Sequence, residues 1–270
     1  MKLRGPAHVC RVPLFAATRR LAAGVVQHRV TTSWGAATIT GRLDQRHRDV
    51  IDAAMSVAIS RREESTGDVT YAVDSARLRS VLGWSRWRYE LIVECLRDLR
   101  AAEIELRVSA ASAPIAAEWS GILTRVTEAP IRPPQRLGSR SRWRGTPPEP
   151  DPLTERPRGG MIWAITVSRA WIAVMEALPM TYPPSVVRLR YGATQAAARM
   201  MLSHRDGAAM GWDAVMEALD IRPADRARAR RQIVEETDAL GELGVAVTDA
   251  GLEHGDARPA PEKRGQPRSP

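Results

Sequence analysis

The sequence predicts an α+β, mainly helical chain of two similar blocks joined by a proline- and arginine-rich segment. Three observations predict it. Apolar residues recur at helical spacing in two separated stretches, each closed by a short alternating run. Between them, Ala129 to Gly160 carries eight prolines and no apolar periodicity. The charge is also unevenly placed. The 270 residues hold 40 basic and 31 acidic side chains, for a net +9. Residues 1–42 have seven basic side chains and no acid, and residues 129–160 have seven against three. Residues 43–128 have 12 against 14, and 161–250 have ten against 11. This divides the chain into a basic arm (1–24), a first domain (25–128), a linker (129–160), a second domain (161–250) and a tail (251–270). The linker and tail are expected to be disordered. Proline removes backbone donors, and so polar a composition cannot bury a core.

In the first block, Val25–Val30 and Ala36–Thr40 read as hairpin strands around Thr31–Gly35. A helix follows from Asp44 to about Arg62, its stripe made by Val50, Ile51, Ala54, Met55, Ala58 and Ile59. Val69–Val73 is extended. Asp74 and Ser75 cap a short helix through Leu82, Gly83 supplies a tight turn, and Ser85 caps a helix to about Ala101. Its inner face is Ile92, Cys95, Leu96 and Leu99. Ile104–Val108 and Ile122–Val126 then read as paired strands joined by a small-residue loop.

The second block repeats the plan. Ile162–Val167 alternates as a strand. Ser168 caps a helix through Leu178, with Trp171, Val174, Met175 and Leu178 inward. After Pro183 and Pro184 a long helix is expected from Ser185 to about His204. A short helix, Asp213–Leu219, leads through Asp220 to Arg222. Pro223 suits the first turn of a helix running to about Leu243, and Val245–Thr248 closes the block as a strand. A short helix, tight turn, longer helix and hairpin make the winged-helix layout, so the sequence predicts two of these domains in tandem.

Helical geometry selects the residues able to touch a ligand on the outer faces. In the first block these are Arg86, Trp87, Glu90 and Arg97, with Ser85 placed to donate to a phosphate and Arg88 turned toward the core. In the second, Ala224, Ala227, Arg228, Arg231 and Glu235 face outward. Arg222, Arg226 and Arg230 complete a basic cluster at that helix start. Arginines there oppose the helix dipole, so local stability does not account for them. Contact with phosphates or base edges does, since arginine pairs bidentately with guanine. The alternative is a solvated face partly neutralised by Asp225, Glu235 and Glu236.

Other chemistry is disfavoured. Only Lys2 and Lys263 are lysines, and neither follows a glycine-rich phosphate loop. Cys10 and Cys95 cannot build a disulfide framework or a four-cysteine zinc site, so the chain reads as intracellular. No apolar run approaches the ~18–20 residues of a membrane span. The start makes a poor secretory signal, although an arginine-rich, acid-free opening also suits a transit peptide. No two of the five histidines are two apart, as a rolling-circle nuclease requires. Cys95 is expected to be buried, His47 to be exposed near a helix start, and Glu63-Glu64 to close a surface helix. No cofactor, metal or enzymatic activity is expected.

Two stretches carry a resemblance. One is GRLDQRHRDVIDAAMSVA with LRSVLGWSRWRYELIVECLRDLRAAEIELR. The other runs from IWAITVSRAWIAVMEALP through AARMMLSH to the last helix. Together, over about 40–128 and 161–250, they resemble plasmid replication initiators of the RepA and TrfA kind. The resemblance implies a protein that binds double-stranded DNA at origin repeats, helps melt adjacent DNA and recruits a host initiator and helicase. It also implies exchange between a homodimer and an origin-binding monomer, and no membrane partner. A transcriptional regulator or partition-type DNA-binding protein with the same domains is the alternative.

Overall fold

The structure, a computed structural model, describes residues 1–18, 27–84, 89–108, 115–130, 161–204 and 207–255. The linker from 131 and the tail from 256 lie outside the described residues. The chain opens with β1 (Leu3–Pro6) and α1 (His8–Arg11). The hairpin β2 (Gln27–Thr32) and β3 (Gly35–Thr40) follows where the sequence places it. Next come α2 (Gln45–Val57), β4 (Ser60–Glu63), β5 (Val69–Asp74), α3 (Ser75–Leu82) and α4 (Tyr89–Ala101). Strands β6 (Glu103–Val108), β7 (Ile115–Ser120) and β8 (Leu123–Pro130) complete the first block. The second holds β9 (Met161–Val167), α5 (Arg169–Ala177), β10 (Pro179–Tyr182), α6 (Ser185–Arg188) and α7 (Gly192–Leu202). It ends with β11 (Ala209–Gly211), α8 (Trp212–Ala218), α9 (Pro223–Glu235), α10 (Thr237–Gly241), β12 (Val245–Val247) and β13 (Gly251–His254).

The described strands form four antiparallel sheets, β1-β10, β2-β3-β6-β7, β4-β5-β9-β8 and β11-β13-β12. The architecture is a mixed α+β fold, and not the mainly helical tandem of winged-helix domains that the sequence predicts. The expected pairing of 104–108 with 122–126 does not form. Instead β6 lies between β3 and β7, with Ile39 opposite Ile104 and Ala37 opposite Leu106. Strand β8 leaves for another sheet, with Val126 opposite Ile165. Gly121 permits that change of direction. Its φ is +77°, and a Cβ there would lie 2.6 Å from the Leu123 carbonyl oxygen and 2.8 Å from that of Arg100. Strand β9, the start of the second block, inserts between β5 and β8, so one sheet joins both blocks.

The stretch read as a basic arm is core over much of its length. Leu3, Val9, Cys10, Val12, Leu14 and Phe15 are buried, and β1 pairs with β10. Phe15 meets the Trp171 ring edge-on at 6.0 Å. Counting charge alone hid these six apolar side chains. The first residues of the tail likewise form β13, the central strand of its sheet, with Leu252 fully buried.

Three helices differ from expectation, each through a partner distant in sequence or a break at one residue. Helix α2 stops at Val57 because the Ile59 N–H turns to the Ala72 carbonyl (2.7 Å) and 60–63 pair with β5. Glu63 therefore sits on an edge strand rather than a helix. The 185–204 stretch divides into α6 and α7 at an extended Leu189. The Glu236 carboxylate accepts the freed N–H groups of Arg190 (2.6 Å) and Tyr191 (3.2 Å). The last long helix breaks at that same Glu236.

Helix α2 is buried almost all round. Its polar side meets α7, β10 and the N-terminal segment through a buried ionic network. Arg48 Nε donates to Asp52 Oδ2 (2.6 Å), as does the Tyr182 hydroxyl (2.6 Å). Arg199 donates to Asp49, to Gln45 Oε1 (2.6 Å) and to the Tyr182 oxygen (3.3 Å). Gln45 Nε2 donates to the Phe15 carbonyl (3.0 Å). Burial works against the charge of Arg48, but the Asp52 carboxylate outweighs it and raises its pKa. His47 is buried at 2 % exposure, not exposed as expected, with Nδ1 2.9 Å from Asp44 and Nε2 3.1 Å from Asp98. Cys95 is buried, and desolvation pushes its thiol well above the ordinary range.

Candidate nucleic-acid interface

The arginine-rich helix α9 is set by a turn with defined chemistry. Helix α8 ends as the Asp220 N–H bonds the Glu217 carbonyl (2.9 Å) and the Ile221 N–H bonds that of Met216 (2.9 Å). Asp220 takes the left-handed conformation, φ +52°, that closes such an end. Its carboxylate lies 2.9 Å from His28 Nε2, which ties the turn to β2. Pro223 then occupies the first turn of α9 without losing a needed donor. Ala229 and Ile233, one turn apart, are buried and seat α9 on the core, and α9 packs against α7.

This leaves the opposite face outward. Arg222, Arg228, Arg230 and Arg231 are exposed and Arg226 is half-buried. They differ in what holds them. Asp225 accepts from both Arg222 (3.0 Å) and Arg228 (2.8 Å), fixing a fork of two guanidinium groups at the helix start. Arg226 turns back to the Ile221 carbonyl (3.3 Å). Arg230 lies over the Trp212 ring at 4.8 Å and donates to the Asp249 carbonyl (3.2 Å). Arg231 stands at the centre of the outer face, with no ion pair among the described residues. The structure keeps these arginines on the outward face, but Arg226 and Arg230 act in part on the protein itself.

In the first block, Glu90 and Arg97 are exposed on α4. Ser85, Arg86 and Trp87, with Arg88, lie outside the described residues. Helix α3 has the expected Asp74 cap, which accepts from the Ala76 N–H (2.7 Å), and Gly83 closes it at φ +65°.

A feature the sequence does not reveal is a cleft of about 650 Å³ beside the start of α9. Leu14, Leu43 and Ile221 form apolar parts of its wall, and Arg190, Arg222 and Arg228 line it too. Arg190 stacks over the Tyr191 ring at 4.9 Å, and the Tyr191 hydroxyl donates to Glu235 (2.6 Å), which pushes the phenol up. Residues so far apart in sequence share no local pattern, so only the folded chain shows them together. Among the described residues, no helix is long and apolar enough to cross a membrane.

The fold resembles a solved structure. It is similar to the crystal structure of the RctB domains 2-3, RctB-155-483, with a TM-score of 0.50 and 12% sequence identity. The match covers 86% of this chain and 82% of that one. At that identity the likeness is one of fold. No protein-family model and no curated protein matches the sequence.

Proposed function

We propose that the chain is a replication initiator that binds double-stranded DNA at origin repeats, promotes local melting and recruits a host initiator and helicase. The observation that carries this reading is the outer face of α9. Arginines at the start of an exposed helix, backed by a buried Ala229–Ile233 seam, suit entry into a major groove. Arg231 is the candidate base reader, and the Arg222–Asp225–Arg228 fork suits a neighbouring phosphate. The sequence resemblance to plasmid initiators supports the role, and the fold likeness to RctB domains 2-3 is compatible with it.

Footprinting on DNA flanking the gene tests the reading, with protected direct repeats as the expected result. Arg231→Ala should weaken binding to those repeats by about 1–3 kcal/mol and relax one position of the site. The protein supplied in trans should sustain a plasmid carrying only the repeats. Protection without replication would favour a regulator, and a smooth, unprotected ladder would refute DNA binding.

A further inference from the structure

We propose that Arg188 and Arg190 form a sequence-independent phosphate contact, joining the Gly83 end of α3 and the start of α9 into one track for a duplex. The inference rests on the DNA-binding reading above and adds to it a second contact surface that no sequence pattern marks.

Three observations carry it. First, Arg188 ends α6 and packs its stem beside Gly83, the residue that closes α3. A Cβ on Gly83 would lie 3.6 Å from Arg188 Cγ and 3.8 Å from its Nε. The stem is therefore placed while the residue stays exposed. Second, Arg190 lines the same cleft as Arg222 and Arg228, at the other helical pair. Its guanidinium is steadied over the Tyr191 ring. Third, Leu189 between them is extended and buried at 4 % exposure. Alternation then sends Arg188 and Arg190 to the side away from the core. Neither has an ion pair among the described residues. The nearby carboxylates are engaged elsewhere, Glu236 by two backbone N–H groups and Glu235 by the Tyr191 hydroxyl.

Arg188 stands in the last turn of the four-residue α6 and Arg190 over the Tyr191 ring, but both residues are exposed and neither charge is neutralised by an ion pair among the described residues. Two exposed cations two residues apart, between the Gly83 end of α3 and the start of α9, match the repeating charge of a phosphate backbone. A duplex seated on α9 and running toward Gly83 would pass over both.

The test is a titration of the full chain with a mixed-sequence duplex of about two to three helical turns, over a range of salt. The Arg188→Ala/Arg190→Ala double variant is compared with wild type and with Arg188→Lys/Arg190→Lys. Each neutralised phosphate contributes about 0.9 to the slope of log affinity against log salt, so the alanine variant should lose about 1.8. From about 50 to 200 mM salt, wild-type affinity should then fall roughly tenfold more than that of the variant. The lysine variant should restore the slope, since a point charge suffices for phosphate. Unchanged circular dichroism melting shows that the fold is intact. Wild-type binding with an unchanged slope in the alanine variant overturns the inference alone. Wild type that binds no duplex at any salt overturns the DNA-binding reading and this inference with it.

Discussion

Removal of one oxygen atom, by Tyr182→Phe, should cost more stability than most single changes in this protein. Tyr182 is buried at 1 % exposure, and its hydroxyl is the hinge of the ionic network. It donates to Asp52 Oδ2 at 2.6 Å and accepts from Arg199 Nε at 3.3 Å. Asp52 is fully buried, and among the described residues nothing hydrogen-bonds its Oδ1. The variant therefore leaves that carboxylate with Arg48 as its remaining hydrogen-bond donor. A hydrogen bond to a charged group contributes about 1.5–3 kcal/mol, and the weaker one to Arg199 adds less. The expected loss is about 2–3 kcal/mol, because phenylalanine fills the same space and opens no cavity. Urea unfolding followed by tryptophan fluorescence should show a lower midpoint with an unchanged slope. Arg48→Met should cost about 3–5 kcal/mol by stripping a buried carboxylate of its counter-ion. The double variant should fall short of the sum, since both changes act on Asp52. A loss below about 0.5 kcal/mol for Tyr182→Phe would mean that water reaches the carboxylate, and the buried network would be refuted.

Two further outcomes test other parts of the fold. Burial works against the charge of His47, but hydrogen bonds to Asp44 and Asp98 outweigh it and raise its pKa. A raised histidine contributes stability that is full below about pH 6.5 and is lost as pH rises through the folded value. Burial and then Arg11 lower the pKa of His8, so its contribution has the opposite sign and is lost as pH falls. Burial likewise lowers the pKa of His204, so the wild-type pH slope mixes all three, and the difference from His47→Gln isolates one. That difference should be larger near pH 6 than near pH 8 in urea midpoints, and a difference independent of pH would exclude the charged pair. At the α8–α9 turn, Asp220→Ala should destabilise by about 1 kcal/mol, through left-handed strain and loss of the exposed His28 pair. Asp220→Gly should be nearly neutral, and equal losses for the two in thermal melts would show that the turn is unstrained.

What could be read from the sequence was local. Asp74 before a short helix, Ser168 before Trp171, Pro223 at a helix start and the 27–40 hairpin all depend on residues within a few positions, and each forms as expected. The outer face of α9 belongs here too, since helical spacing alone selects Arg228 and Arg231. What could not be read was which strand pairs with which. Ile104–Val108 and Ile122–Val126 alternate correctly, yet they join different sheets because β3 and β9 compete for their edges. Alternation specifies a face and not a partner. The polar side of α2 misled for a related reason. Gln45, Arg48, Asp49 and Asp52 look like a solvated face, and only the return of Tyr182 and Arg199 makes them core. Arg188 and Arg190 were passed over because a single long helix was expected there. The break that exposes them comes from Glu236, far along the chain.

This also changes what the net charge means. Counting over blocks gave near-neutral folded regions, which seemed to leave electrostatic attraction to the basic arm and the linker. That count included Arg48 and Arg199, whose charges are consumed by Asp52 and Asp49 in the interior, and Asp44, held at about 2 first against the cost of burial by His47 and Arg46. Such groups cancel inside the molecule and project little field outside. The remaining surface is not uniform, because Arg190, Arg222 and Arg228 line one cleft while Glu235 and Glu236 are tied to fixed donors. A near-zero block charge is thus compatible with a locally positive groove. In binding experiments the salt dependence should follow those few arginines more than the overall +9.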